Sequence, residues 1–349
     1  MSTDNREGTG IVKISRNYFL PGALALATVV ASTKANEVQP EASAAVQKTG
    51  LTLTNNVHNI IFNRNQGIRR GFNYGDQFVD GAAWGQLLYT EGKHEVVDQA
   101  MGFKNQVGGM TLGVDGELED NIRFGFAMTL SKASIDMNDG ASTRQQSFLT
   151  SLYGSWNYRR LSMNAVASVG SGSNDSKKTV NGQRVKGDFQ ADQWGLRVTG
   201  STAWQLGSWS LVPRALFSYG QLRIQDYSEK GNSGFEQKIE NDDYLTAELG
   251  AGFKFNGAIW GRQTVFKPEL TLMGYYDFIS SGSEFKATHL ASGSTLKVTG
   301  PDRDPYRLTA GLAFAVKSGH HWTLRAGYDH NWSQHYTTDS FSARVRYEF

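Results

Sequence analysis

The chain of 349 residues has no cysteine. That excludes a disulfide framework, a thiolate zinc centre and a cysteine nucleophile. Proline is scarce, at 6 residues, whereas glycine reaches 39. Neither sign of charge dominates: 35 Lys and Arg face 33 Asp and Glu, a net charge of +2. There is no bulk basic field, so no nucleic-acid partner is expected. Also missing is any run of about 18 apolar residues, the length a membrane-spanning helix needs. Together with a mean hydropathy of −0.44, this excludes a helical membrane protein. It does not exclude a membrane β-barrel, whose alternating strands hide their apolar face from any average. What the chain does have is aromatic residues, including 8 Trp and 14 Tyr.

The N-terminus reads as targeting before it reads as structure. Lys13 and Arg16 precede an apolar stretch from Tyr18 to Ala31, and small residues follow up to Ala35. Basic, apolar and small segments in that order predict a secretory signal peptide over residues 1–35, cut after Ala31 or Ala35. Residues 36–54 are polar and small, and read as a linker. Val57, Ile60, Ile61, Arg64 and Ile68 then fall near helical spacing, and Arg69-Arg70-Gly71 closes the segment. Residues 55–80 are therefore expected to form a helix and a lead-in.

From residue 81 onward the period is two. Phe341, Ala343, Val345, Tyr347 and Phe349 alternate with Ser342, Arg344, Arg346 and Glu348. Ile122, Phe124, Phe126, Met128 and Leu130 alternate with Arg123, Gly125, Ala127 and Thr129. Alternation of this kind puts every second side chain on one sheet face. The apolar face carries Trp and Tyr near strand ends, as interfacial girdles do. The other face mixes small residues with isolated charges: Asp115, Glu117, Arg123, Arg197, Arg214, Glu248, Glu269 and Arg307. Twelve strands are expected over 81–349. Long connections at 91–105, 135–145, 171–187, 226–242 and 279–304 alternate with short ones. Outer-membrane barrels pair long extracellular loops with short periplasmic turns. An even-stranded closed barrel also leaves no sheet edge. The expected fold is all-β, a 12-stranded antiparallel transmembrane barrel with the N-terminal helix in its lumen. The eight charges above would line that lumen.

At this point the chain resembles the translocator domain of a monomeric autotransporter. The ending Ser342-Ala-Arg-Val-Arg-Tyr-Glu-Phe349 carries the resemblance, as do Ala83-Trp84-Gly85 in the first strand and Gly109-x-x-x-Gly113-x-Asp115 in the second. So do the strand count and the helix that precedes the barrel. The resemblance implies that Val345, Tyr347 and Phe349 belong to the signal read by the barrel assembly machinery. It also implies help from periplasmic chaperones, contact with outer-membrane lipid, a monomeric state and location in the outer membrane of a Gram-negative bacterium. It implies, further, that the barrel exports or anchors an N-terminal passenger at the cell surface. Arg64, Arg69 and Arg70 on the helix are expected to meet wall carboxylates. A stand-alone porin, or an adhesin acting through its loops, is the alternative.

The departure from the family is the shortness of the segment between signal peptide and helix. A vestigial passenger, a protein that uses its own loops and a shortened chain all stay open at this stage. Asn55-Asn56 reads as the N-cap of the helix. By the resemblance it is also a weak candidate for passenger release, through attack of an Asn amide on its own backbone with Asp115 or Glu117 nearby. Asp329-His330 lacks a third catalytic partner, and no Gly-x-Ser-x-Gly elbow occurs. No enzyme activity, metal or cofactor is expected.

Overall fold

The structure, a computed structural model, describes residues 41–65, 81–96, 102–119, 121–262, 264–280, 282–299, 303–319 and 321–349. The expected signal peptide over 1–35 and the lead-in over 66–80 lie outside the described residues. The described residues belong to one body that begins at residue 39.

Twelve long strands make up the wall: β1 (Gly81–His94), β2 (Phe103–Glu119), β3 (Ile122–Met137), β4 (Ser142–Tyr158), β5 (Leu161–Val180), β6 (Gln183–Thr202), β7 (Trp209–Ile224), β8 (Tyr244–Gly257), β9 (Thr264–Asp277), β10 (Tyr306–Ser318), β11 (Trp322–Trp332) and β12 (Tyr336–Glu348). Each pairs antiparallel with its neighbour in sequence, and β12 pairs with β1 from Ala82↔Glu348 to His94↔Tyr336. The barrel is closed, so the wall strands hydrogen-bond to one another all the way round, as hydrocarbon requires.

The alternation read from the sequence sorts the faces. Phe124, Phe126, Met128 and Leu130 are exposed on the outside, as are Leu308, Leu312, Phe314, Leu324, Phe341 and Val345. Outward rings gather towards the strand ends: Trp156 stacks on Tyr158, Trp209 on Phe255, and Trp322 leans on Tyr347. The end that carries Gly81 and Phe349 has the short turns that lead into β3, β5 and β11, and is periplasmic by that rule.

Two differences appear at the other end. First, the expected connections 135–145 and 171–187 are largely strand. The β5–β6 ribbon runs on to a two-residue turn at Asn181-Gly182, with φ of 50° and 78°. That dipeptide favours the turn that matches the twist of a hairpin. Secondly, the expected loops 226–242 and 279–304 fold together. Tyr227–Ser228, Gln237–Asn241, Glu284–His289 and Thr295–Thr299 make a separate four-stranded sheet.

Helix α1 spans Glu41–Asn65. It begins at Glu41 rather than at Asn55, so most of the stretch read as a linker is helical. The physical reason lies in the surroundings. Ser43, Gln47 and Thr49 are buried inside the barrel between the apolar Ala45, Val46 and Leu51, so the first turns lack the unbroken apolar stripe that marks a helix in sequence. At about 1.5 Å per residue, 25 residues reach roughly 37 Å, enough to cross the ~30 Å hydrocarbon layer inside the wall.

Candidate functional site

The lumen with its helix is the site. Eight-stranded barrels fill with side chains and barrels of sixteen strands hold water. Twelve strands leave room for one helix about 10–12 Å across.

The upper half of the helix is held by apolar contacts. Ala45, Val46 and Leu51 share a buried cluster with Phe103, Ile135 and Met137, with Phe189, Ile224 and Tyr227, and with Ile239 and Ala287 of the small sheet. The small sheet thus packs on the end of the helix that faces the extracellular side. The lower half joins a second cluster, in which Leu53, Val57, Ile60 and Ile61 meet Trp84, Leu88, Leu149, Tyr153 and Val166. Each such side chain contributes about 1.5–3 kcal/mol on burial.

Close approach to the wall depends on glycine, on the helix at Gly50, where a Cβ would meet Leu222 at 2.4 Å, and on the wall. Gly195 of β6 lies opposite Gly220 of β7. A Cβ on Gly195 would come within 3.0 Å of Thr54 Cγ2 and 3.1 Å of the His58 ring, and one on Gly220 within 3.3 Å of Leu51. The helix lies in that slot.

Polar ties come from the wall. Arg197 Nη1 donates to Asn59 Oδ1 at 2.6 Å, and its Nη2 to Asn55 Oδ1 at 2.7 Å. Arg344 Nη2 donates to the Ile60 carbonyl at 2.6 Å and its Nε to Gln86 at 2.5 Å. The Arg214 guanidinium lies 5.3 Å from the centre of the Phe62 ring. Three wall cations therefore face the C-terminal half of the helix, the end that favours positive charge. Asn56 Nδ2 donates to Thr90 at 3.1 Å. His58 Nε2 shares a 3.0 Å bond with Ser168.

The carboxylates of the candidate set are matched along the wall. Glu248 takes Arg307 at 3.0 Å. Glu269 takes Arg325 at 2.9 Å and Lys254 at 3.0 Å. Arg123 meets Asp115 at 3.1 Å and Glu117 at 3.5 Å. Buried charges need such partners. Asp115 also accepts from Tyr153 Oη at 3.0 Å, which in turn accepts from Trp84 Nε1 at 2.9 Å. A Cβ on Gly113 would meet the Trp84 ring at 2.4 Å. The Trp84 strand and the Gly109-x-x-x-Gly113-x-Asp115 strand are thus two halves of one joint.

Arg69 and Arg70 lie outside the described residues, as does the side chain of Arg64. Asn55 and Asn56 sit inside the helix rather than at its start, so the N-cap reading is corrected. A narrow cleft of about 80 Å³ runs beside them and is lined also by Glu248, Asp304 and Arg307. At its outer rim burial would raise the Asp304 carboxyl. Hydrogen bonds from the His335 N–H, Ser333 and the His335 ring outweigh that and hold it below the ordinary carboxylate value. Sequence reasoning missed Arg344, Gln86, Asn59 and the Gly195–Gly220 pair. Arg344 had been visible only as the polar partner in an alternation. Val345, Tyr347 and Phe349 line the outer face of β12, at the periplasmic seam where the Phe349 N–H donates to the Gly81 carbonyl.

The wall of twelve strands encloses the helix, and comparison with known proteins places this arrangement in a family. The autotransporter beta-domain model matches residues 83–329. The chain belongs to that family. It is similar to the translocator domain of autotransporter NalP from Neisseria meningitidis, with a TM-score of 0.70 at 15% identity, covering 89% of this chain and 100% of that one. In sequence it is 24% identical to outer membrane protein A of Rickettsia rickettsii over 79% of this chain, but spans only 13% of that relative. It is 25% identical to an extracellular serine protease of Serratia marcescens over 44% of this chain and 15% of that protein. This autotransporter beta-domain is an outer-membrane protein of a Gram-negative bacterium. The porin or adhesin alternative is not favoured.

Proposed function

We propose that the barrel carries an N-terminal passenger outward through its lumen and afterwards holds it at the cell surface by helix α1. The observation that carries this is the direction of the helix. Its first turns pack on the extracellular small sheet, and its end lies low in the lumen near Arg344. The N-terminal end of the helix therefore faces the extracellular side. The barrel assembly machinery and periplasmic chaperones are the partners this reading requires. Val345, Tyr347 and Phe349 are the side chains we assign to the assembly signal. The signal peptide over 1–35 provides entry to the periplasm.

In this reading the beta-domain performs no catalysis, and any enzymatic activity belongs to a passenger. The helix stays uncut in this reading, with the Asn55 side chain tied to the wall by Arg197. Deleting residues 41–65 tests the plug. The truncated barrel should conduct ions in planar bilayers at a level well above that of the full chain. Equal conductance would sink the plug assignment. Intact-mass measurement on protein from outer membranes should show one chain; two fragments parted between Asn55 and Asn56 would overturn the anchor.

A further inference from the structure

Helix α1 carries one titratable side chain that the wall encloses without a counter-charge. His58 is only 1% exposed. Its Nε2 shares a 3.0 Å bond with Ser168, and Ser168 is bonded in turn to Ser151 at 2.7 Å. Its Nδ1 is buried and has no hydrogen-bond partner. The ring lies over one row of the wall: Ser151 is the register partner of Ser168, Ser168 of Gly195 and Gly195 of Gly220. That row is uncharged. The row one pair nearer the extracellular end is Leu149, Gly170, Gln193 and Leu222, also uncharged. The row one pair nearer the periplasm is Tyr153, Val166, Arg197 and Ser218. There the Tyr153 hydroxyl is given to Asp115, and Arg197 is a cation. Glu248 continues that row beyond Ser218 and is held by Arg307 at 3.0 Å. On the helix itself, Thr54, Asn55, Ile61 and Phe62, about one turn away, carry no charge.

Other histidines of the chain are placed differently. Nδ1 of His94 lies 2.7 Å from the Glu95 carbonyl and that of His321 lies 2.6 Å from the Glu348 carbonyl. Nδ1 of His330 lies 2.8 Å from Asp339 and that of His335 lies 2.6 Å from Asp304. A protonated ring keeps an acceptor at each of these four positions. At His58 it does not. With Nε2–H donating to Ser168, the neutral ring leaves only a lone pair at Nδ1. A second proton there would meet no acceptor, in a buried place whose nearest charged row offers Arg197. An ionised group enclosed without a partner is strongly disfavoured. Once the helix leaves its slot, lumenal water can solvate the same charge.

We infer that His58 makes the seat of helix α1 acid-sensitive: protonation of its ring loosens the helix from β4–β6 and opens the lumen to ions. The inference rests on the reading of α1 as the plug. The undocked helix binds a proton that the docked helix refuses, so undocking is favoured as pH falls through the ordinary histidine range. One such proton raises the undocked fraction by at most about tenfold per pH unit, or about thirtyfold between pH 7.5 and pH 5.

The test records the full chain in planar bilayers at both pH values. Open probability should rise by about thirtyfold at pH 5. His58→Gln keeps a donor for Ser168 but does not titrate, and should stay near its level at pH 7.5. Ser168→Asp offers the protonated ring a carboxylate, and its rise should be much smaller than that of the wild type. Heat-modifiable electrophoretic mobility checks that each variant is a folded barrel. An unchanged open probability in the full chain would overturn the inference, as would an acid response of wild-type size in either folded variant. The chain lacking residues 41–65 separates the two readings. If it conducts no better than the full chain at pH 7.5, the plug itself fails; if it conducts freely while the full chain ignores pH, only the role of His58 fails.

Discussion

Arg197 grips Asn55 and Asn59, one helical turn apart, with a separate N–H for each amide oxygen. The arginine is nearly fully buried, so its removal leaves two part-buried acceptors without these donors. Hydrogen bonds to a charged group contribute about 1.5–3 kcal/mol each, and an orphaned acceptor costs its desolvation. Arg197→Met should therefore weaken helix docking by about 2–4 kcal/mol. Amide hydrogen exchange over residues 53–61 reads this directly; it should speed up while exchange in β6 stays slow. At this scale the sequence is a partial guide. Arg197 stood out as a charge in an alternating strand, and Asn55 as half of an unusual dipeptide. Their contact, 142 residues apart along the chain, follows only from the way the barrel closes. Asn59 carried no signal at all, because an isolated Asn on a helix is ordinary.

Among the elements, the strands were legible because hydrocarbon enforces a strict period of two. Tests of face follow from the same rule. Ala326 is exposed on the outer wall and Thr309 is buried inside. Ala326→Arg should cost about 2–4 kcal/mol near the midplane, whereas Thr309→Arg should cost less; urea titration of the folded barrel in lipid compares them. Equal costs would contradict the assigned faces. The helix was less legible. Its buried apolar residues are interleaved with buried polar ones such as Ser43, Gln47, Thr49 and His58, so the apolar stripe is broken, and its first turns look like linker. The small extracellular sheet was not legible at all, since its strands are short and their partners lie far apart in sequence.

That small sheet carries its own prediction. Side-chain hydrogen bonds from Lys238 and then Lys286 hold the Glu240 carboxyl down at about 2, against an ordinary value of 4.5. The group is depressed in the folded state, so its contribution is complete above about 4.5 and is lost as pH falls through about 2. The triad is exposed and its effect is small. Limited proteolysis between Gln237 and Thr299 should stay constant from pH 7 to about 5 and rise only towards pH 2 to 3. In Glu240→Gln that acid-dependent rise should be smaller.

For the whole molecule, the composition already separated the possibilities. A cysteine-free, aromatic-rich chain with two-residue periodicity and no long apolar helix has few folds open to it, and closure removes the edges that an open sheet of this size would expose. What the chain does for a passenger depends instead on which end of the lumen the helix enters. The direction of α1 puts residue 41 outside and the start of β1 at the periplasmic end. The most direct test is an epitope placed between Pro40 and Glu41, probed by antibody on intact cells before and after protease treatment. A surface signal that protease removes is expected. A signal that appears only after the outer membrane is permeabilised would contradict it.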